Sequence, residues 1–453
     1  MRGPRELPDL GMEALAAGRR LPGEIEVFLE HSTTTSIKVF RGEPESVAAA
    51  EPRGAGVRYL WEGRQGYAYT SDLSPEGLRQ AVVAAADNAA ATDPDPDHRL
   101  PQAQAGYSPV PGLFRSGVGA TPLDRKIALA LEAEKLTLAL PDVRMVEEAA
   151  YGDGERRVAV VSSRGISAYA EQTFAYLYVS AHAEREGQME SGLGFMGGRE
   201  PADLAPGPVA EEAASRARRL LGAGPCPSGG YRVVLDRQIV AALLGMLAAA
   251  FQADAVQKGR SLFAGREGEA VASPLLELRD DGLHPAGLAT FPFDDEGVAR
   301  GGPTYLLKDG ILGGFLYDSR TAGKAGRAST SNSSRPSYRS APAVGASNLL
   351  LSDGAGTMEE VLRRVGEGLY VTEVSGLHSG INPVSGEVSV GIKGQLIHGG
   401  APSRAVREAT LATDLLSLLR SVTEVAGDAQ WDYLHGSVFA PSLVLAEIAV
   451  SGV

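Results

Sequence analysis

Polar and apolar residues alternate from Glu24 to Glu30 (Glu-Ile-Glu-Val-Phe-Leu-Glu), the period of a half-buried strand. Ser36 to Phe40 repeats it after a Thr-rich link, and Gly56 to Trp61 and Gly66 to Thr70 read as two strands about a turn at 62–65. The period changes at Ser74-Pro75-Glu76, which opens a helix to about Ala91: Ser caps it, Pro fits its first turn and Glu favours its positive end. A Pro/Gly-rich linker follows, then a helix from about Pro122 to Leu140 with Leu123, Ile127, Ala130, Leu131, Glu134 and Leu138 on one face. Strands are expected at 143–150, 156–162 and 166–183, with turns at Gly152-Asp153-Gly154 and Arg164-Gly165, and a helix at 209–221.

The second half is organised around an apolar stretch. Twelve of the thirteen residues from Ile239 to Phe251 are apolar, Gly245 being the exception. Asp236 supplies a cap oxygen after a strand at 231–235, so a buried central helix is expected over 237–253. Thirteen residues rise only about 20 Å, too short to span a bilayer. Beyond it, strands are expected at 274–279, 305–308 and 311–317, with Asp309-Gly310 as a hairpin turn. The Ser/Arg/Gly-rich run 320–342 reads as a long mobile loop. A short helix at 358–367, strands at 370–374, 387–393 and 395–398, a helix within 404–423 and a closing strand at 442–450 complete the pattern.

The expected fold is therefore α+β in two domains. Residues 1–222 form a mixed sheet with helices, and residues 223–453 a β-rich, barrel-like domain around the apolar helix, with Gly222 to Gly230 as the boundary. A length of 453 residues accommodates two such cores. A net charge of −13 weighs against nucleic-acid binding, and no apolar run of eighteen or signal-peptide core appears. A lone cysteine, Cys226, suits a reducing, cytoplasmic setting.

Chemistry is sparse. No two of the seven histidines lie four or five residues apart, Cys226 has no companion, and neither a phosphate loop nor Gly-x-Ser-x-Gly occurs. These residues give no catalytic, cofactor-binding or metal-binding set. Arg335, Ser337 and Tyr338 form a piece that can hold a peptide carboxylate or backbone, or can be plain solvated loop. His378 and Asn382, in a Gly/Ser-rich loop with two tight turns, stand under the same two readings.

The runs 56–58 and 66–73, Phe293-Asp294-Asp295-Glu296-Gly297, the hairpin 308–315 and Ile381-Asn382-Pro383-Val384-Ser385-Gly386-Glu387 together resemble the TldD/PmbA family over roughly residues 20–453. The resemblance implies a cytosolic, two-domain α+β protein from a family described as gyrase modulators and as peptidases of leader peptides and unfolded chains. It also implies that the zinc-binding branch would carry His-Glu-x-x-x-His and a C-terminal Cys. Counted back from Lys258-Gly259-Arg260-Ser261, the motif positions fall on Leu244, Gly245 and Ala249, and the Cys position falls on Ala426 in Glu424 to Asp428, so the chain is similar to the PmbA (TldE) branch.

Three functions follow from this. The first is a non-catalytic subunit that pairs with a TldD-type zinc protease subunit and helps bind peptide or unfolded-protein substrates. Zinc is then expected in the partner and no cofactor in this chain, and a homodimer is one state open to the chain when alone. The second is a self-associating regulatory or binding protein without proteolysis. The third is an enzyme with its own unrecognised site, against which the missing nucleophile–base pair weighs.

Overall fold

The structure is a computed structural model and describes residues 6–104 and 106–453. Residues 1–5, part of the stretch read for a signal segment, lie outside it. The N-terminal half is one antiparallel sheet of seven strands: β1 (Glu24–Phe40), β2 (Glu43–Ala50), β3 (Arg53–Trp61), β4 (Arg64–Thr70), β5 (Val143–Ser162), β6 (Ser167–Arg185) and β7 (Gln188–Gly198). Their order is β4-β3-β1-β5-β6-β7, and β2 pairs with the distal half of β1.

On one face lie helices α1 (Glu6–Ala17), α2 (Pro75–Ala90), α3 (Gly117–Ala120), α4 (Leu123–Leu138) and α5 (Pro206–Arg219). Val27, Leu29, Val57, Leu78 and Val82 pack there, as do Ile37, Ala133, Leu177, Val179 and Ala213 further along. Ser74 caps α2 by accepting from the Gly77 amide, as its sequence predicts.

Several elements depart from the expected pattern. The alternation of β1 continues through the Thr-rich link as one strand, and α1 and β2 were not legible in the sequence. No turn forms at Gly152-Asp153-Gly154. β5 runs straight through, because the two glycines leave room for the rings of Tyr176 and Phe174 on β6, and Asp153 pairs inward with Lys126. A Cβ at Gly152 would lie 2.3 Å from the Tyr176 ring. Leu123 and Leu138 are exposed, and α4 buries Ala130, Ala133, Thr137 and the charged Lys126 and Glu134. The Glu134 carboxylate accepts from the amides of Arg41 and Gly42, 2.6 and 2.8 Å away, and so pins the β1–β2 turn.

In the C-terminal half β8 (Gly224–Pro225) leads to β9 (Gly229–Leu235), and β9 enters a closed barrel. The other barrel strands are Gly368–Ser375, Glu387–His398, Ala401–Asp414 and Leu443–Ser451; closure comes where Thr410 and Leu411 meet Ser451 and Val450. The helix expected within 404–423 is present at Leu415–Arg420, and most of the run before it is strand. A six-stranded sheet lies alongside, containing Leu278–Asp280, Thr304–Lys308 and Asn348–Leu351. Asp309 and Gly310 take φ of 52° and 72°, the left-handed pair that a two-residue hairpin requires.

The apolar helix α6 (Arg237–Leu247) is shorter than expected. A tight 3₁₀ turn at Ala248–Phe251 ends it, because Phe251 and Ala253 bond Leu316 through their backbones and extend the chain at Gln252. Ile239, Val240, Leu243, Leu244 and Leu247 share one cluster with barrel residues Val233, Leu235, Val371, Val390 and Leu411.

Replacing Glu134 by Ala should leave the Arg41 and Gly42 amides unpaired by protein and cost about 1–3 kcal/mol. Denaturant midpoints of the variant and parent measure this.

Candidate functional site

The two halves meet on the second face of the N-terminal sheet. Glu26, Phe28 and Glu30 alternate with the helix-facing residues of β1, and residues 291–300 and 331–340 cover them. At the centre is a buried chain of charges. The Arg335 guanidinium bonds one Glu26 oxygen, and Arg58 bonds the other at 2.5 Å. Arg58 also reaches Glu296 at 2.7 Å. All four residues are at most 4% exposed. Arg335 lies 4.8 Å over the Phe28 ring, and its amide donates to Asp295 at 2.6 Å. Its neighbour Tyr338 is buried among Phe28, Val160, Phe291 and Phe293, accepts from the Tyr67 hydroxyl at 2.7 Å, and donates its amide to Glu30. Gly54 admits the Tyr338 ring: a Cβ there would sit 2.2 Å from it.

This corrects the expectation of a mobile loop at 320–342. The run begins as a helix at Ser319–Lys324. It stays packed because the buried acids of 294–296 need its donors: the Ser333 amide bonds Asp294 and the Arg335 amide bonds Asp295.

The charges at this junction do not balance, and the carboxyls respond. Burial alone would raise Glu26, but Arg58 and Arg335 hold it below the usual range. Burial raises Glu296 despite Arg58, and burial with the nearby Glu296 pushes Asp294 up to about 8. Asp280 is also raised by burial, against the pull of Arg300.

A cleft of about 310 Å³ opens elsewhere on the same junction. Its lining comes from β6 and β7 (Ser180, Ser191, Leu193), α5 (Arg216, Arg219) and the start of α6 (Gln238, Ile239, Ala242). The barrel strand adds Thr372, Glu373 and Val374, followed by Leu377 and His435. Asp236, the cap of α6, is buried beneath it and draws Arg216 at 3.4 Å, Arg219 at 3.8 Å and the Tyr370 hydroxyl at 2.6 Å. Burial would raise this carboxyl, but Arg216 and the Tyr370 bond lower it. Asp432 accepts from the Leu434 and His435 amides, and the His435 ring lies 3.1 Å from it. The His435 carbonyl rests on α6 so closely that a Cβ on Gly245 would lie 2.4 Å from it.

The five candidates from the sequence fall into two groups, and none lines this cleft. Arg335, Ser337 and Tyr338 belong to the buried junction, with Ser337 half-buried. His378 is exposed on a one-turn helix, Leu377–Gly380, where a loop was expected, and Asn382 is exposed in the turn beyond it, its side chain accepting from the Val384 and Ser385 amides. The cleft residues Arg216, Arg219, Gln238, Thr372 and His435 escaped sequence reasoning. The arginines read only as the basic end of a helix.

Three family models match the chain: PmbA/TldA metallopeptidase domain 1 over residues 25–89, the central domain over 118–221 and the C-terminal domain over 228–452. The chain belongs to the PmbA/TldD family. It is 27% identical to metalloprotease PmbA of Escherichia coli O157:H7, covering 97% of this chain and 94% of that one. It is also 27% identical to a metalloprotease TldD homologue of Haemophilus influenzae over 88% and 87%. The fold matches a proposed modulator of a DNA gyrase from Thermotoga maritima with a TM-score of 0.90 at 26% identity, covering 98% and 99% of the two chains. It matches TldE from Thermococcus kodakarensis with a TM-score of 0.90 at 22% identity over 99% and 100%.

The positions to which the family resemblance assigns zinc ligands and a base hold Leu244, Gly245, Ala249 and Ala426. Leu244 is buried in the large cluster, Ala249 is exposed on the 3₁₀ turn, and Ala426 is buried in another cluster with Val234 and Tyr370. Their side chains carry no donor atom, so these positions do not fit the metal. No helix among the described residues is long and apolar enough to cross a membrane.

Two predictions follow from the buried junction. Arg335→Ala should cost about 3–5 kcal/mol in chemical denaturation, because Glu26 then stays buried with Arg58 as its one remaining cation. Arg335→Lys should recover little of this, since an ammonium cannot serve Glu26 and the Asp295 carbonyl in the geometry of a planar fork.

The second concerns pH. Asp294, Glu296 and Asp280 titrate higher folded than unfolded, so their contribution is complete below about pH 4 and is lost as pH rises through the folded values. The lowered groups Glu26 and Asp236 lose theirs only as pH falls, below that window. The unfolding free energy should therefore decline from about pH 5 to about pH 9. A profile that stays flat or rises in urea titrations across that range would show these carboxyls already ionised in the folded chain.

Proposed function

We propose that this chain is a non-catalytic, cytoplasmic PmbA/TldE-type subunit that pairs with a TldD-type zinc protease subunit and helps it bind peptide or unfolded-protein substrates. One observation carries the reading. At the position where the family resemblance puts the general base stands Gly245, and the His435 carbonyl occupies the space that any side chain there would need. Amide hydrolysis assisted by a metal needs ligands, a bound water and a base. Leu244, Ala249 and Ala426 supply no ligand, and position 245 has neither the carboxylate nor room for one.

What the chain retains is a cleft between its halves that combines apolar walls with Arg216, Arg219, Gln238 and His435. A groove of this kind can contact a polypeptide while the chemistry takes place on the partner. The names of its relatives, metalloproteases among them, support the link to proteolysis in this reading.

The test is to purify the chain alone and together with a paralogue that bears His-Glu-x-x-x-His, then measure zinc content and peptide cleavage in each preparation. The expected outcome is co-purification, with zinc and cleavage only when the paralogue is present. Zinc-dependent cleavage by the lone chain would overturn the reading, as would failure to associate with any such paralogue.

A further inference from the structure

The cleft beside α6 contains a buried hydroxyl with nothing to bond. Thr372 is the extra residue of a bulge: pairing with strand Glu387–His398 passes from Val371↔Gly394 to Glu373↔Lys393 and skips it. Bulges re-aim side chains, and this one turns Thr372 into the cleft. The residue is 7% exposed and its Oγ1 has no partner among the described residues. A buried hydroxyl is costly to leave unsatisfied.

The charged groups around it are unequally engaged. Arg216 is committed to Glu212 and Asp236. Glu373 is answered by Lys393 at 3.4 Å, and Lys393 also holds Glu190. Arg219 is the loose one: its nearest carboxylate oxygen is 3.8 Å away, and the Ser215 hydroxyl is at the 3.5 Å limit of a bond. It is also a third exposed. His435 has Nδ1 against Asp432, and its Nε2 has no hydrogen-bond partner among the described residues. Among the less engaged groups of the cleft are the Arg219 guanidinium, the Thr372 hydroxyl and His435, set among Ile239, Ala242, Val374 and Leu377. Donors that share one cleft with apolar walls suit a carboxylate attached to an apolar chain.

We propose that this cleft is a carboxylate subsite that seats an acidic group of an extended peptide on Arg219, with Thr372 as second donor and the four apolar side chains holding the neighbouring residue. The inference rests on the reading that the chain binds peptides, and it adds what the cleft selects. A volume near 310 Å³ suits one end or one side chain of a polypeptide rather than a folded partner.

The test uses the full chain and a dye-labelled tetrapeptide ending in leucine, in three forms: free acid, terminal amide, and terminal amide with glutamate in the last position. Fluorescence anisotropy reads their affinities. The free acid should bind about tenfold or more tightly than the plain amide, the worth of a charge-assisted bond. Arg219→Gln should weaken the free acid much more than the plain amide, so that the difference between them disappears. Thr372→Val, which keeps the shape and removes the hydroxyl, should narrow it. If the glutamate amide matches the free acid, any carboxylate is accepted; if it matches the plain amide, the chain terminus is the ligand. Equal binding of free acid and plain amide overturns the subsite, as does equal loss of both in Arg219→Gln. Failure of every form to bind also overturns it, and co-purification with the zinc-bearing paralogue then reports separately on the subunit reading.

Discussion

The buried ion chain from Arg335 through Glu26 and Arg58 to Glu296 is the constraint on which the assembly of the two halves depends. Two of its members come from strands β1 and β3 and two from the C-terminal half, so two of its three ion pairs join one half to the other. Such a network is a poor source of net stability, because desolvation consumes most of the Coulombic gain. It is an effective source of specificity, because any other docking of the halves would strand a carboxylate in an apolar interior. The segment 331–340 is held for the same reason: its amides are the donors that the acids at 294–296 require.

That constraint also explains where the sequence misleads. Glu24 to Glu30 alternates as a half-buried strand does, and the natural inference sends its glutamates to water. The structure instead covers that face with Phe291, Phe293 and Tyr338 and pairs Glu26 with Arg58 and the distant Arg335, and Glu30 with the distant Arg156. Local period reports the faces of a strand but not what covers the second one. The same holds for the Ser/Arg-rich run 320–342, whose composition reads as linker because its partners are distant in sequence. Signals that act over a few residues survived: the Ser74 cap, the Asp309-Gly310 turn and the apolar run of α6. The turn expected at 152–154 failed because glycine can also admit rings from a neighbouring strand, and β6 supplies them.

The candidate site was the least legible part. Arg335 and Tyr338 drew notice as residue types suited to peptide contact, and both are committed to the junction. The cleft is built from residues with weak local signals: a bulged threonine, the basic end of α5, and a histidine held by an aspartate three positions earlier. Only the meeting of β6, β7, α5, α6 and the barrel turns them into one lining. A bulge is invisible in sequence, since it depends on the register of two strands.

The apolar character of α6 and the geometry of the cleft are linked through His435. Its carbonyl lies on Gly245 and its ring lines the cleft, so residues 432–436 close the helix on one side and shape the opening on the other. A side chain at 245 would push this segment away and with it one wall of the cleft. Glycine at that position is therefore more than the absence of a base. It lets the chain come close enough to form a wall of the cleft beside the position where the family resemblance places a reaction centre, so the packing of α6 and the shape of the cleft depend on the same missing Cβ.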